Sequence, residues 1–338
     1  MVHLIFIVLL TLVVGTACFL IAGACAIAFL STHPPRRSVT RTPQEFGANY
    51  EDVLFPSRDG MMLSGWFVPA RCSQETGAAP RGMVILCHGM SANREEVLPW
   101  AEPLWSRGFT ILMFDFRALG KSGGNRCTAG YRETEDLSGA VDYLMTRPDT
   151  QILPLGVFGF SMGGATAILV AADDPRILSV ATHGAYATLE SAITQRCKKH
   201  FSFMAPIVEW MTVRDGRKLG WFPVSPSEVN PVEAVSRLTP RPLLILHGGR
   251  DRVVHPADAH ELHAAAGYPK SLRVLPRSGH KRIHRHLRDA VHRRVSQFFC
   301  ATLHNPAYTN TQEKIERPPQ PRRKPLTSAK RRPSAAGS

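Results

Sequence analysis

The chain has 338 residues, long enough for two average domains or one larger one, and its 44% hydrophobic content with 26 Gly and 26 Pro suits a globular protein carrying appended segments. Its seven cysteines (18, 25, 72, 87, 127, 197, 300) include no Cys-x-x-Cys pair, which speaks against a disulfide framework or a zinc site and for free buried thiols. The formal charge is +14, but +11 of it lies in residues 281–338 and the main body is nearly neutral. A tail-borne charge points to a membrane surface, with anionic lipid as the partner of the basic C-terminal region, and no nucleic-acid partner is expected.

Leu4 to Leu30 carry no charged residue. As a helix that stretch reaches roughly 40 Å, enough to cross a ~30 Å bilayer core with tilt. The chain starts Met-Val-His without Lys or Arg, unlike the basic start of a cleaved signal peptide, so residues 1–32 are read as an uncleaved transmembrane anchor. Arg36, Arg37 and Arg41 follow the span and nothing positive precedes it, which places the C-terminal body in the cytoplasm by the positive-inside rule. Cleavage of the segment as a signal peptide would export the body instead.

Residues 33–49 read as a linker. Tyr50–Phe55 and Leu63–Val68, around a Ser57-Arg-Asp-Gly60 turn, predict an antiparallel hairpin, and residues 71–81 a surface loop. Strands then alternate with helices: strands at 83–87, 109–114, 155–160, 177–182, 243–247 and 271–275, helices near 95–106, 133–145, 165–172, 257–266 and 284–299. This order implies a mostly parallel central sheet with helices on both faces. Residues 188–226 break the alternation with Phe201, Phe203, Trp210 and Trp221 among basic residues, and read as a small helical cap. Residues 305–338, rich in Pro, Arg and Lys, are expected to be a disordered basic tail. The folded α/β body would therefore span 50–304.

The chemistry centres on Leu155-Gly-Val-Phe-Gly159-Phe-Ser161-Met-Gly163-Gly164. An apolar strand ends in Gly-x-Ser-x-Gly and a helical pattern follows at once. The turn puts the serine oxygen at the carboxyl end of the sheet, with the Met162 backbone amide beside it. A serine hydroxyl needs a base, usually a histidine oriented by a carboxylate. Asp251 follows the strand at 243–247 and His280 follows the strand at 271–275, both on the edge that carries Ser161. Asp258 is a rival acid within a helical pattern, and His284, His286 and His292 are rival histidines in a basic stretch facing solvent or anionic lipid. His88 and His247, at strand ends beside glycine, read as structural hydrogen-bonders.

With these residues in the order Ser, Asp, His, the sequence resembles a serine hydrolase of the α/β-hydrolase fold from about residue 50 to 300. Cys87-His88-Gly89-Met90 stands where that family places half of its oxyanion hole, so the resemblance implies that the backbone N–H groups of Met90 and Met162 hold the oxyanion. Asp115-Phe-Arg117-Ala-Leu-Gly120-Lys-Ser122 is similar to the family's Asp-x-Arg-Gly-x-Gly-x-Ser loop, with Ala118 where glycine is usual. Asp115 and Arg117 are read as structural. The expected reaction is acyl transfer: hydrolysis of a small-molecule or lipid-like carboxylic ester or thioester through an acyl-enzyme, with no metal or organic cofactor required. A peptidase or amidase on the same triad is the alternative enzyme, and a catalytically silent, membrane-tethered binding protein is the alternative of another class.

Overall fold

The computed structural model describes residues 1–201, 225–283 and 286–304. Eight strands form a mixed sheet: β1 (Glu51–Pro56), β2 (Met62–Val68), β3 (Gly82–Cys87), β4 (Phe109–Phe114), β5 (Leu155–Phe160), β6 (Ile177–His183), β7 (Leu243–Gly248) and β8 (Lys270–Leu275). Their spatial order is β1-β2-β4-β3-β5-β6-β7-β8, with β1–β2 and β2–β4 antiparallel and the rest parallel. The central strands read as unbroken apolar runs because both faces of the sheet are covered. Successive residues of β3 alternate between two cores, Met83, Ile85 and Cys87 entering one and Val84 and Leu86 the other.

Helices α4 (Glu133–Thr146), α5 (Met162–Asp173) and α8 (Pro256–Ala265) pack on the first core. Helices α3 (Leu98–Trp105) and α9 (Arg288–Thr302) pack together on the second. The parallel strands direct their carboxyl ends, and the loops that follow, to one edge, where ligands of open α/β sheets bind. Between β6 and β7 lie α6 (Leu189–Phe201) and the short α7 (Pro231–Ala234). Helix α6 is the described part of the expected cap; residues 202–224 lie outside the described residues, as does the basic tail 305–338.

The segment 71–81 is a correction: a short helix, α2 (Arg71–Thr76), occupies its first half, closed by Gly77 in the left-handed region. The closing helix also begins later than the basic periodicity suggests, at Arg288.

Helix α1 (Val2–Thr32) contains an apolar stretch, Val2–Gly23, of 22 residues with mean hydropathy 3.0 and none of it covered by the rest of the chain. Its length and composition suit a membrane span or a signal sequence. The residues after it lie along the body. Thr32 O accepts the Cys127 N–H (2.7 Å), and the Arg36 guanidinium donates to the carbonyls of Gly120 (3.0 Å), Ser122 (2.5 Å) and Gly124 (2.5 Å).

Asp115 and Arg117 are buried scaffold. Asp115 accepts the N–H groups of Arg94 (2.7 Å) and Lys121 (2.8 Å), and Arg117 forks onto Asp136 (2.6 Å) and Asp59 (2.7 Å). Ala118 sits at φ +62°, held by its N–H donating to Gly123 O (2.8 Å). A side chain in that region costs about 1–2 kcal/mol, whereas glycine adopts it freely at some cost in unfolded-chain entropy. Ala118→Gly is therefore expected to leave stability unchanged or raise it by up to about 1 kcal/mol, measured from the denaturant midpoint; a loss of 1 kcal/mol or more would contradict this account.

Candidate active site

Ser161 is the residue between β5 and α5, held at φ 53° and ψ −118°, a costly backbone region for any residue with a Cβ. Its N–H donates to His183 O at 2.8 Å, which fastens the corner to β6. The glycines around it make room for backbone. A Cβ on Gly159 would come within 2.2 Å of Gly163 O, and one on Gly163 within 2.5 Å of Cys87 O. The first turn of α5 thus presses against the end of β3, bringing Met162 to the turn that carries Met90. Met162 is the first residue of α5, where a backbone N–H has no acceptor within the helix and lies at its positive end.

Beyond β8, His280 Nε2 lies 2.9 Å from Ser161 Oγ, and its Nδ1 lies 2.6 Å from Asp251 Oδ2. Asp251, in the loop after β7, uses its other oxygen to accept the N–H groups of Val253 (2.8 Å) and Val254 (3.0 Å). Burial alone would raise the Asp251 carboxyl, but the His247 ring, with Nε2 3.4 Å from Oδ2, and hydrogen bonds from His280 and the backbone hold it well below the usual carboxylate range. It therefore stays ionised and keeps the His280 Nδ1–H tautomer, leaving Nε2 free to accept the serine proton. The structure brings Ser161, Asp251 and His280 into one hydrogen-bonded line, an arrangement that can activate the Ser161 hydroxyl.

The rivals lie elsewhere. Asp258, in the first turn of α8, is buried against Ser191 and Gln195 of α6, and burial pushes its carboxyl up to about 6. His286 is exposed, and His284 lies outside the described residues. His292 departs from its expected solvent-facing place: it packs on Trp100 with ring centroids 4.4 Å apart, and burial lowers it to about 4. His88 accepts the Phe116 N–H (3.0 Å) and donates to Gly89 O (2.7 Å), and His247 donates to Val254 O (3.0 Å). The thiols of Cys87 and Cys127 are raised by burial, so neither offers a thiolate.

Residues 78–235 match the family Hydrolase_4, described as serine aminopeptidase, S33. The uncharacterized protein YfhR of Escherichia coli K12 is 32% identical over 232 residues, covering 68% of this chain and 73% of YfhR. The chain belongs to this hydrolase family. The matched segment of this S33-family hydrolase contains Met90, Ser161 and Met162, whereas Asp251 and His280 lie C-terminal to it. Among solved structures, the Pyrococcus furiosus esterase Pf2001 aligns with a TM-score of 0.64 and 26% identity, over 81% of this chain and 98% of that one. The thiohydrolase aneE of Aspergillus aculeatus is 32% identical over 131 residues, 38% of this chain and 39% of its own.

Two residues of the candidate site were not visible in the sequence pattern. Gly184, just after β6, has φ +67°, and a Cβ there would stand 3.2 Å from His280 Cε1, so its small size lets the imidazole approach. Glu96 bridges two loops: one carboxylate oxygen accepts the Gly89 N–H (2.8 Å) next to Met90, and the other pairs with Lys281 Nζ (2.6 Å) next to His280. The glycine directly after a strand was the available signal for the first. The second joins residues 185 positions apart, beyond any local pattern.

Proposed function

We propose that this chain is a serine hydrolase that cleaves carboxylic esters, thioesters included, by an acyl-enzyme mechanism. His280 takes the proton of Ser161, the serine oxygen attacks the carbonyl carbon, and the backbone N–H groups of Met90 and Met162 receive the negative charge on the carbonyl oxygen. The protonated His280 then gives its proton to the departing alcohol or thiol, and water, deprotonated by the same histidine, releases the acid. The continuous line from Asp251 through His280 to Ser161, at 2.6 Å and 2.9 Å, is the observation that carries this reading. Likeness to the esterase Pf2001 supports an ester over an amide, and the apolar Val2–Gly23 stretch supports a membrane-anchored enzyme with lipid-like substrates. A peptidase is the second reading, favoured by the description of the matched family as serine aminopeptidases.

A fluorophosphonate probe tests the mechanism. The intact protein is expected to label covalently and Ser161→Ala to remain unlabelled; absence of labelling in the folded intact protein would remove both enzymatic readings. A panel of p-nitrophenyl esters set against aminoacyl amides then separates them, with the esters expected to be turned over preferentially.

A further inference from the structure

A cavity of about 830 Å³ opens behind the His280 loop and does not include Ser161, Met90 or Met162 in its lining. Its floor is aromatic: Trp100 of α3, Phe160 at the end of β5, and His183 at the end of β6. His183 is 1% exposed and faces this cavity, and neither of its ring nitrogens has a hydrogen-bond partner among the described residues. Burial lowers His183 to about 3 and His292 to about 4, so both imidazoles are neutral here and leave the floor uncharged.

The rim is the opposite. Arg277, Lys281, Arg282 and Arg288 surround the opening, with Glu96 as the single acid in the lining. Glu96 is engaged by Lys281 at 2.6 Å, and Asp289, the next residue along α9, makes no ion pair with the arginines among the described residues. Among the described residues, three guanidinium groups thus remain without a carboxylate, above an apolar floor with one buried N–H donor. Guanidinium forks match phosphate oxygens, and flat or hydrocarbon groups match aromatic floors. The volume falls within the range of small-molecule sites and far exceeds what a bare phosphate fills.

We propose that this cavity is a binding site for a phosphate-bearing amphiphile, whose phosphate lies among Arg277, Arg282 and Arg288 and whose apolar body covers Trp100 and Phe160. Two sources share that chemistry, an anionic phospholipid and a soluble nucleotide. The cavity borders the reacting centre through the His280 loop and through two strand ends: Gly279 and Lys281 flank His280, the Phe160 ring lies 5.0 Å from the His280 ring, and His183 O accepts the Ser161 N–H at 2.8 Å. Occupancy therefore acts on turnover through the position of His280. That coupling rests on the proposed role of His280, whereas the binding does not.

Calorimetric titration of the full chain in nonionic detergent tests the site, with dihexanoylphosphatidylglycerol, AMP, dihexanoylphosphatidylcholine and inorganic phosphate as probes. Saturable one-site binding is expected for phosphatidylglycerol or for AMP, the tighter of the two identifying the source. Phosphatidylcholine and inorganic phosphate are expected to bind at least tenfold more weakly than that ligand. The Arg282→Ala/Arg288→Ala double variant should lose at least tenfold in affinity while its ligand-free turnover of p-nitrophenyl butyrate stays within twofold. His183→Phe should weaken binding as well. No saturable binding by either ligand, equal binding by phosphatidylcholine or inorganic phosphate, or undiminished binding by the double variant would overturn the site. In the intact protein the saturating ligand should change turnover at least twofold, and an unchanged rate would overturn the coupling. Loss of fluorophosphonate labelling with an intact binding isotherm would count against the hydrolytic mechanism and not against this cavity.

Discussion

Asp251→Asn is expected to lower kcat on a p-nitrophenyl ester by about four orders of magnitude with KM nearly unchanged, the size of effect seen when a triad aspartate becomes an amide. The reason lies in how the carboxylate is held. One oxygen accepts two backbone N–H groups, from Val253 and Val254, and the other receives the Nδ1 hydrogen of His280 at 2.6 Å. In the asparagine variant the amide oxygen keeps the two backbone donors, because the amide nitrogen cannot accept them. The NH₂ group is then turned toward His280 and donates to Nδ1. That stabilises the tautomer with hydrogen on Nε2, which faces Ser161 and cannot take its proton. Substrate contacts and Gly184 are untouched, so binding should survive. Steady-state kinetics together with thermal unfolding give the check: a kcat loss below about tenfold, or a loss explained by unfolding, would remove Asp251 from the role proposed for it.

The features that could be read from the sequence are those set by local pattern. Strands β3, β4, β5 and β7 are buried on both faces and so appear as continuous apolar runs bounded by loops, within one residue of where they lie. The Ser161 corner is equally local, since backbone crowding dictates glycine at 159 and 163. Asp251 and His280 follow from the regular return of strand ends to one edge. The discrepancies have a tertiary origin. His292 lies in a basic stretch and looks solvated, but α9 packs on α3 and brings it onto Trp100. Helix α2 has no amphipathic repeat to announce it, because it buries no residue. The cationic cavity draws on α3, β5, β6, the His280 loop and α9, so its composition is scattered over nearly two hundred positions. Net charge located the basic region; only the fold places an aromatic floor beneath it.

Asp115→Ala is expected to destabilise the protein by about 3–5 kcal/mol, the range for removing one partner of a buried ion pair. Asp115 and Arg94 are both fully buried, with Arg94 Nε 3.3 Å from the Asp115 carboxylate. Arg94 has few other supports: Nη2 donates to Ser64 Oγ at 2.9 Å, its guanidinium lies 4.6 Å from the Trp66 ring centre, and Nε and Nη1 have no hydrogen-bond partner among the described residues. Without Asp115 the cation would be left in the interior with a weak cation–π contact, and the N–H groups of Arg94 and Lys121 would lose their acceptor as well. Arg94→Met in the same background should recover part of the loss, because an apolar side chain of similar length fills the space without a charge. The two single variants and the double variant form a cycle measurable by urea unfolding. A loss below about 1 kcal/mol for Asp115→Ala, or a double variant less stable than Asp115→Ala alone, would mean that the pair is not the support of this loop. The consequence reaches the reacting centre. Phe116, next to Asp115, donates its N–H to His88, and His88 stands at the root of the turn that carries Met90. Loss of the pair should therefore lower the fluorophosphonate labelling rate of the fraction that remains folded, although Asp115 itself contacts neither Ser161 nor His280.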